Sequence, residues 1–248
     1  MKRASSVLVL GATSAIAEHL ARHLAARGAS LYLTGRSGER LTVIAADLRI
    51  RGAAEVAIEQ LDVIDRPALN GIVARAAQAL GSLDTVLFAA GLLPDQTQVE
   101  TDPALLRLTL EVNAISAMVV LNAAAAYFER QGHGQLVAIG SVAGDRGRAA
   151  NDAYGAAKGA LEIFMSGLRQ RLHKSGVQVL LVKPGFVDTP MTAGFAKGPL
   201  WASPERVAQD IVRAMDRGRS VIYTPWFWRG IMLIIRHLPE RLFVRLRF

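Results

Sequence analysis

Between Val7 and Tyr223 the chain alternates short apolar runs with longer stretches in which apolar residues recur at helical spacing. Most of the runs at 7–10, 30–34, 54–59, 85–89, 135–139, 177–182 and 220–223 are continuous apolar runs rather than strict alternations. That is the pattern of strands covered on both faces. Helical periodicity marks segments 14–27, 66–80, 103–129, 152–175 and 204–217. The last of these opens on Ser203 as N-cap, with Pro204 at the first helical position. No Pro/Gly/Ser linker and no internal repeat interrupts the alternation. It predicts an α/β fold, a doubly wound parallel seven-stranded sheet with helices on both faces. Residues 1–224 read as one domain and 225–248 as a basic amphipathic tail.

Composition narrows the field. With 51% hydrophobic and 20% charged residues in 248, the chain can build a large core, and disorder is excluded. It has no cysteine, which removes disulfides, thiolate metal sites and cysteine nucleophiles and fits a reducing compartment. The start, MKRASSVLVLGATS, is basic, but its apolar run is too short for a secretory signal. The histidines at 19, 23, 133, 173 and 237 form no ligand cluster, so no metal is expected. His19 and His23, four apart, read as one surface face of the first helix.

The formal charge is +8, and half of it lies in the tail. Arginines 229, 236, 241, 245 and 247 face a single acid, Glu240. They are mixed with Trp226, Phe227, Trp228 and the apolar stretch 231–235, which argues against a polar nucleic-acid patch. The apolar stretch is too short to span a bilayer. The mixture suits a helix lying in a membrane interface through residues 226–248. Two alternatives stand beside that: a tail packed on a neighbouring subunit, or one packed beside the active site.

GATSAIA, residues 11–17, follows the first strand and opens the first helix. Backbone N–H groups and the helix dipole make such a turn the place for a dinucleotide pyrophosphate. Gly11 can make the tight turn, but Ala15 and Ala17 stand where further glycines usually sit. Thr13 and Ser14 offer hydroxyls in compensation. Alone, the stretch is equally a plain strand–helix turn. The second strand ends in LYLTGRSGER, with Arg36 where a carboxylate would receive a ribose 2′-hydroxyl. A guanidinium suits a 2′-phosphate, so NADP(H) is expected over NAD(H), unless Arg36 is only a solvated loop charge. Asp62, ending the third strand, reads either as an acceptor for the adenine amino group or as a helix cap.

The densest signal is SVAGDRGRAANDAYGAAKGALE. Ser141 follows an apolar strand, Tyr154 comes thirteen residues later and Lys158 four after that. Residues i and i+4 share a helix face, so the phenol and ammonium sit together. A free tyrosine titrates near about 10, and a neighbouring cation favours the phenolate. Tyr154 can then serve as general acid to a carbonyl oxygen that Ser141 also bonds.

With these marks, FAAG at 88–91, Asn113 in EVNA and KPGFVDT at 183–189, the chain resembles the short-chain dehydrogenases/reductases over nearly its whole length. The resemblance implies a Rossmann-type fold and a homo-oligomer. It implies catalytic Ser141, Tyr154 and Lys158, with Asn113 holding a water in a proton relay. Cofactor contacts would come from Gly11, Thr13, Ser14, Ala15, Ile16, Arg36, Asp62, Val63, Ala90 and Gly91. Tyr154 and Lys158 would add theirs, Lys158 on the nicotinamide ribose. Pro184, Gly185, Val187 and Thr189 would cover the nicotinamide. The chain departs from the family in the missing glycines of the first turn and in Ala89, where asparagine is usual.

SVAGDRGR, VKPGFVDTPMT and the tail further look like the decaprenylphosphoryl-2-keto-ribose reductases. That likeness implies NADPH-dependent reduction of a lipid-phosphate-linked 2-keto sugar, in the cytoplasm at the inner face of the membrane. Asp145, Arg146 and Arg148 follow Ser141, and arginines at a substrate mouth can hold a phosphate. A solvated or subunit-contact loop is the alternative. Competing functions are a reductase of acyl, steroid or xenobiotic ketones and a non-catalytic NADP-binding membrane scaffold.

Overall fold

The strands β1 (Ser6–Leu10), β2 (Ser30–Gly35), β3 (Glu55–Gln60), β4 (Thr85–Phe88), β5 (Gly134–Ile139), β6 (Val177–Pro184) and β7 (Val221–Thr224) form one sheet. In this computed structural model, which describes residues 5–246, the order is β3-β2-β1-β4-β5-β6-β7. All neighbouring pairs are parallel. Residues 1–4, and Arg247 and Phe248 at the end of the expected tail, lie outside the described residues. Every expected apolar run falls on a strand, with its ends moved by at most two residues.

The helices are α1 (Ala15–Ala25), α2 (Gly38–Ile50), α3 (Arg66–Leu69), α4 (Ile72–Ala79), α5 (Gln96–Thr101), α6 (Pro103–Leu110), α7 (Ser116–Gln131), α8 (Asp152–Arg171), α9 (Pro204–Asp216), α10 (Trp228–His237) and α11 (Glu240–Phe243). Alternate residues of β1 explain the two layers. Val7 and Val9 pack with α1, α2 and α9, whereas Leu8 and Leu10 pack with α4, α7 and α8. Strand periodicity of two sends neighbours to opposite faces, so a strand buried on both must be apolar throughout.

Besides the short helix α5, three elements differ from the sequence expectation. Helix α2 was not foreseen, because Val43 and Ile50 are exposed on it and blur the stripe of Leu41, Ile44, Ala45 and Leu48. The expected helix over 66–80 breaks at Gly71, whose φ of 73° is left-handed. The expected helix over 103–129 carries a π-helical turn, Glu111–Ile115, between α6 and α7. That whole segment, Pro103–Gln131, is long and apolar enough to cross a membrane by length and composition. Here its Ala117, Val120, Leu121, Ala124, Ala125 and Phe128 are packed into the core.

The strand order reverses between β1 and β4. At such a switch point the loops beyond the strand ends diverge and leave a crevice.

Candidate active site

A cavity of about 550 Å³ opens beyond the C-terminal strand ends. Every residue of the expected cofactor set lines it, as do Ser141 and Arg148. Gly11 has φ +80°, and a Cβ there would lie 2.5 Å from the Ala90 backbone nitrogen. No other residue lets the β1 and β4 loops approach this closely. The first helical N–H of α1 to find an acceptor is that of Glu18, bonded to the Ser14 carbonyl at 2.8 Å. The N–H groups before it stand at the positive end of the helix dipole. Ser14 is the N-cap of α1, yet its hydroxyl makes no capping bond. Ala17 is fully buried in helix–sheet packing, and Ala15 lines the cavity. The turn therefore keeps the form of an anion cradle with one glycine.

Two arginines stand at the end of this cradle. Arg36 lines the cavity, and its carbonyl is held by Gln60 Nε2 at 3.0 Å. Arg40 also lines it and reaches the Thr13 carbonyl at 3.4 Å. Arg40 was missed with α2, whose first turn carries it. Asp62 accepts from the Ile64 N–H at 3.3 Å and lines the cavity, while the following helix is capped instead by Asp65.

Ser141 ends the excursion from β5 and caps a 3₁₀ turn, Val142–Asp145; its Oγ accepts from the Ala143 N–H at 3.1 Å. Tyr154 and Lys158 rise from the first turns of α8, and the Tyr154 phenol is hydrogen-bonded to Ser141. Lys158 is 4% exposed, and its Nζ donates to the Ile139 carbonyl at 2.9 Å. That Nζ lies 5.6 Å from the Tyr154 ring centroid. The expected lowering of the phenol pKa by Lys158 is not found. Desolvation pushes Tyr154 up to about 12, and its bond with Ser141 opposes this only in part. Desolvation also pulls Lys158 down to about 8. Burial penalises both charged forms, and the ammonium is spent on a backbone carbonyl rather than on the phenol oxygen.

Asn113, in the π-helical turn, lies behind the cavity rather than on its wall. Its Nδ2 donates to the Leu92 and Thr109 carbonyls at 2.7 and 2.9 Å, and its Oδ1 accepts from the Leu92 N–H at 3.1 Å. The amide fixes the loop at Gly91 and Leu92, so both of its donors are used before any water is considered.

The residues after Ser141 do not all rim a mouth. Asp145 is fully buried and paired with Lys183, which is 1% exposed and also bonds Glu162 at 2.6 Å. Arg146 turns away from the cavity, against expectation. Its guanidinium donates to the Ile235 and Leu238 carbonyls at 2.7 Å each, pairs with Glu240 at 2.6 Å and covers the Phe243 ring at 3.7 Å. The C-terminal carbonyls of α10 lack intrahelical partners, and Arg146 supplies them. It latches the tail; it is not a substrate arginine. Arg148 alone of the pair reaches the cavity.

The inner face of α10 thus packs behind the site. Trp228, 3% exposed, packs with Met232 and Val142. A Cβ on Gly185 would overlap its indole. The loop after β6 is held by this indole, by the Val187–Ala202 bridge and by Phe186 stacked on Trp201. The outer face is different: Trp226, Leu233 and Ile234 are 78, 61 and 67% exposed, beside exposed Arg229 and Arg236.

A family model described as short chain dehydrogenase matches residues 5–199. The chain is 39% identical over 237 residues to an uncharacterized oxidoreductase of Mycobacterium tuberculosis, covering 96% of this chain and 95% of that protein. An uncharacterized oxidoreductase of Streptomyces coelicolor is 37% identical over 243 residues, 97% and 95% of the two chains. Among solved structures, a short-chain dehydrogenase from Sphingobium yanoikuyae in complex with NADPH matches with a TM-score of 0.83. Its identity is 26%, over 96% of this chain and 99% of that one. An actinorhodin polyketide ketoreductase with NADPH shares the fold at TM-score 0.79 and 24% identity, over 88% and 95%.

Proposed function

As the chain belongs to the short-chain dehydrogenase family and is an NAD(P)-dependent oxidoreductase, we propose that it reduces a ketone to a secondary alcohol with NADPH. The observation that carries this is the convergence of Ser141, Tyr154, Lys158 and the two arginines 36 and 40 on one cavity. The α1 N-terminus with Ser14 fits a pyrophosphate, and the arginines fit a 2′-phosphate. Pro184, Gly185, Val187 and Thr189 enclose the nicotinamide end. When bound, NADPH supplies a hydride to the carbonyl carbon. Tyr154 gives its proton to the carbonyl oxygen, to which Ser141 also donates. The Lys158 ammonium stabilises the phenolate left behind. Asn113 positions the Gly91 loop against which the cofactor rests.

Arg36→Ala is expected to weaken NADPH binding about tenfold or more while NADH binding changes little, the loss of one charge-assisted phosphate contact. Fluorescence titration of both cofactors measures it. Equal weakening of the two would remove the 2′-phosphate role.

The substrate end supports an amphiphile. Leu92, Leu93, Leu108, Val112, Met191 and Phe195 line the same cavity. The exposed face of α10 fits the interface of an anionic bilayer, tryptophan and aliphatics flanked by arginines. A lipid-phosphate-linked 2-keto sugar meets both features. Replacing exposed residues tests the contact better than deleting the tail, because Trp228 supports the Gly185 loop. Trp226→Ala with Ile234→Asp is expected to abolish sedimentation with phosphatidylglycerol liposomes. Undiminished sedimentation would exclude this face. The reaction itself is tested by NADPH oxidation across lipid-phosphate keto sugars and simple ketones; no turnover with any would sink it.

A further inference from the structure

Five buried side-chain polar atoms lack a partner among the described residues, and four of them cluster around segment 141–151: Asp145 Oδ2, Arg148 Nε, Asn151 Oδ1 and Trp228 Nε1. Buried polar groups are normally bonded, so a cluster of orphans asks for an explanation. Two of the four residues, Arg148 and Asn151, line the cavity that holds Ser141 and Tyr154.

Charge bookkeeping isolates Arg148. Asp145 is the nearest acid in sequence, but Lys183 takes it, with Arg236 within 4.0 Å. Lys183 and Arg236 balance Asp145 and Glu162. The Arg148 guanidinium forms no ion pair and no hydrogen bond with any described residue. Burial pulls its pKa below the usual guanidinium value, and the charge of Asp145 offsets only part of that. Arg148 is half-buried with its Nε fully buried, and a cation partly withdrawn from water and left unpaired is a costly state, relieved when an anion arrives.

Asn151 stands next to it. The two belong to one turn, closed by the Asn151 N–H on the Arg148 carbonyl at 3.1 Å. Asn151 occupies the N-cap of α8, where asparagine usually bonds the helix start, yet its side chain makes no capping bond. Its amide is thereby left for something else on the cavity wall.

We propose that Arg148, with Asn151 beside it, is an oxyanion subsite of the substrate cavity that takes a phosphate or carboxylate substituent on the ketone. This rests on the reductase reading of the same cavity. Arg148 supplies a planar two-pronged donor that matches either oxyanion. Asn151 adds a neutral contact for a neighbouring hydroxyl. The subsite sets specificity; the reacting carbonyl remains with Tyr154 and Ser141.

The test has two arms. The first compares para-acetylphenyl phosphate and para-acetylbenzoate with acetophenone as substrates. In the wild type both anionic ketones should exceed acetophenone in kcat/KM, with the difference in KM. In Arg148→Ala the ratio of anionic to neutral kcat/KM should fall at least about tenfold, the scale of hydrogen bonds to a charged group. Arg148→Lys should restore part of it, since charge is kept and the fork is lost. The larger preference, phosphate or carboxylate, identifies which oxyanion the subsite takes. The second arm needs no turnover: calorimetric titration of phenyl phosphate and of benzoate into the protein saturated with NADP⁺. Binding by the wild type, weakened at least about tenfold in Arg148→Ala, is expected. Failure of both ligands to bind the wild type would overturn the subsite. Binding without reduction of any ketone would instead overturn the reductase reading and leave the subsite standing. An unchanged substrate ratio in a folded Arg148→Ala protein would also reject the proposal.

Discussion

Replacing Tyr154 with phenylalanine is expected to lower kcat for ketone reduction by about 10²–10⁴-fold, the usual contribution of a positioned general acid. The ring and its packing on α8 remain, so the effect isolates the hydroxyl. NADPH affinity should change far less than kcat, which fluorescence titration beside steady-state rates will show. Undiminished reduction would reject Tyr154 as the proton donor. The pH profile separates its partner. With the phenol at about 12, the proton to be given is in place throughout the neutral range. Lys158, at about 8, carries its charge below that pH and loses it above. The ammonium is what stabilises the phenolate, so kcat/KM for reduction should be level below about pH 8 and fall as pH rises through it. A profile still flat at about pH 10, close to an unperturbed lysine, would remove that role from Lys158.

The largest effect on stability is expected from Lys183→Met. Burial pulls the Lys183 pKa down, but the hydrogen bonds its ammonium donates to Asp145 and Glu162 outweigh that and hold the pKa above the usual lysine value. The folded state therefore binds this proton more tightly than the unfolded chain. Its stabilising contribution is complete below about pH 10 and is lost as pH rises through the elevated value. Removing the ammonium leaves the fully buried Asp145 carboxylate with only the half-exposed Arg236 as a pairing cation, 4.0 Å away. Breaking one side of a buried pair costs about 3–5 kcal/mol, or about 10 °C in Tm for a domain of this size. Lys183→Met combined with Asp145→Leu should recover much of the loss, because the only acid then left unpaired is Glu162, which reaches solvent. Thermal unfolding of the single and double variants checks this; a single variant as stable as the wild type would refute it. Asp145 ends the turn that begins at Ser141, so the single variant should also show a lower kcat.

These expectations draw on different depths of the sequence. The central strands were legible because a strand covered on both faces must be apolar nearly throughout, and few other elements are; the edge strands β3 and β7, with exposed positions, followed from the alternation around them. Tyr154 and Lys158 were legible because helical spacing alone sets them on one face. The π-helical turn at Asn113 was not, since it is stabilised by bonds to Leu92, twenty-one positions away. Arg40 disappeared with α2, whose exposed Val43 and Ile50 hid its periodicity.

The segment after Ser141 marks the boundary. By itself the sequence determined a seven-stranded parallel α/β sheet, a turn at Gly11 able to receive phosphate, and a serine, tyrosine and lysine in register for proton transfer. It offered Asp145, Arg146 and Arg148 as one charged rim. Only the tertiary structure divided them: Asp145 to Lys183, Arg146 to the carbonyls of α10, Arg148 to the cavity. It likewise decided that the inner face of the tail backs the Gly185 loop that lines the site. The physical reason is that backbone periodicity is written locally in side-chain character, whereas a charge takes its role from whichever partner folding brings beside it. For Arg146 that partner lies 89 residues away.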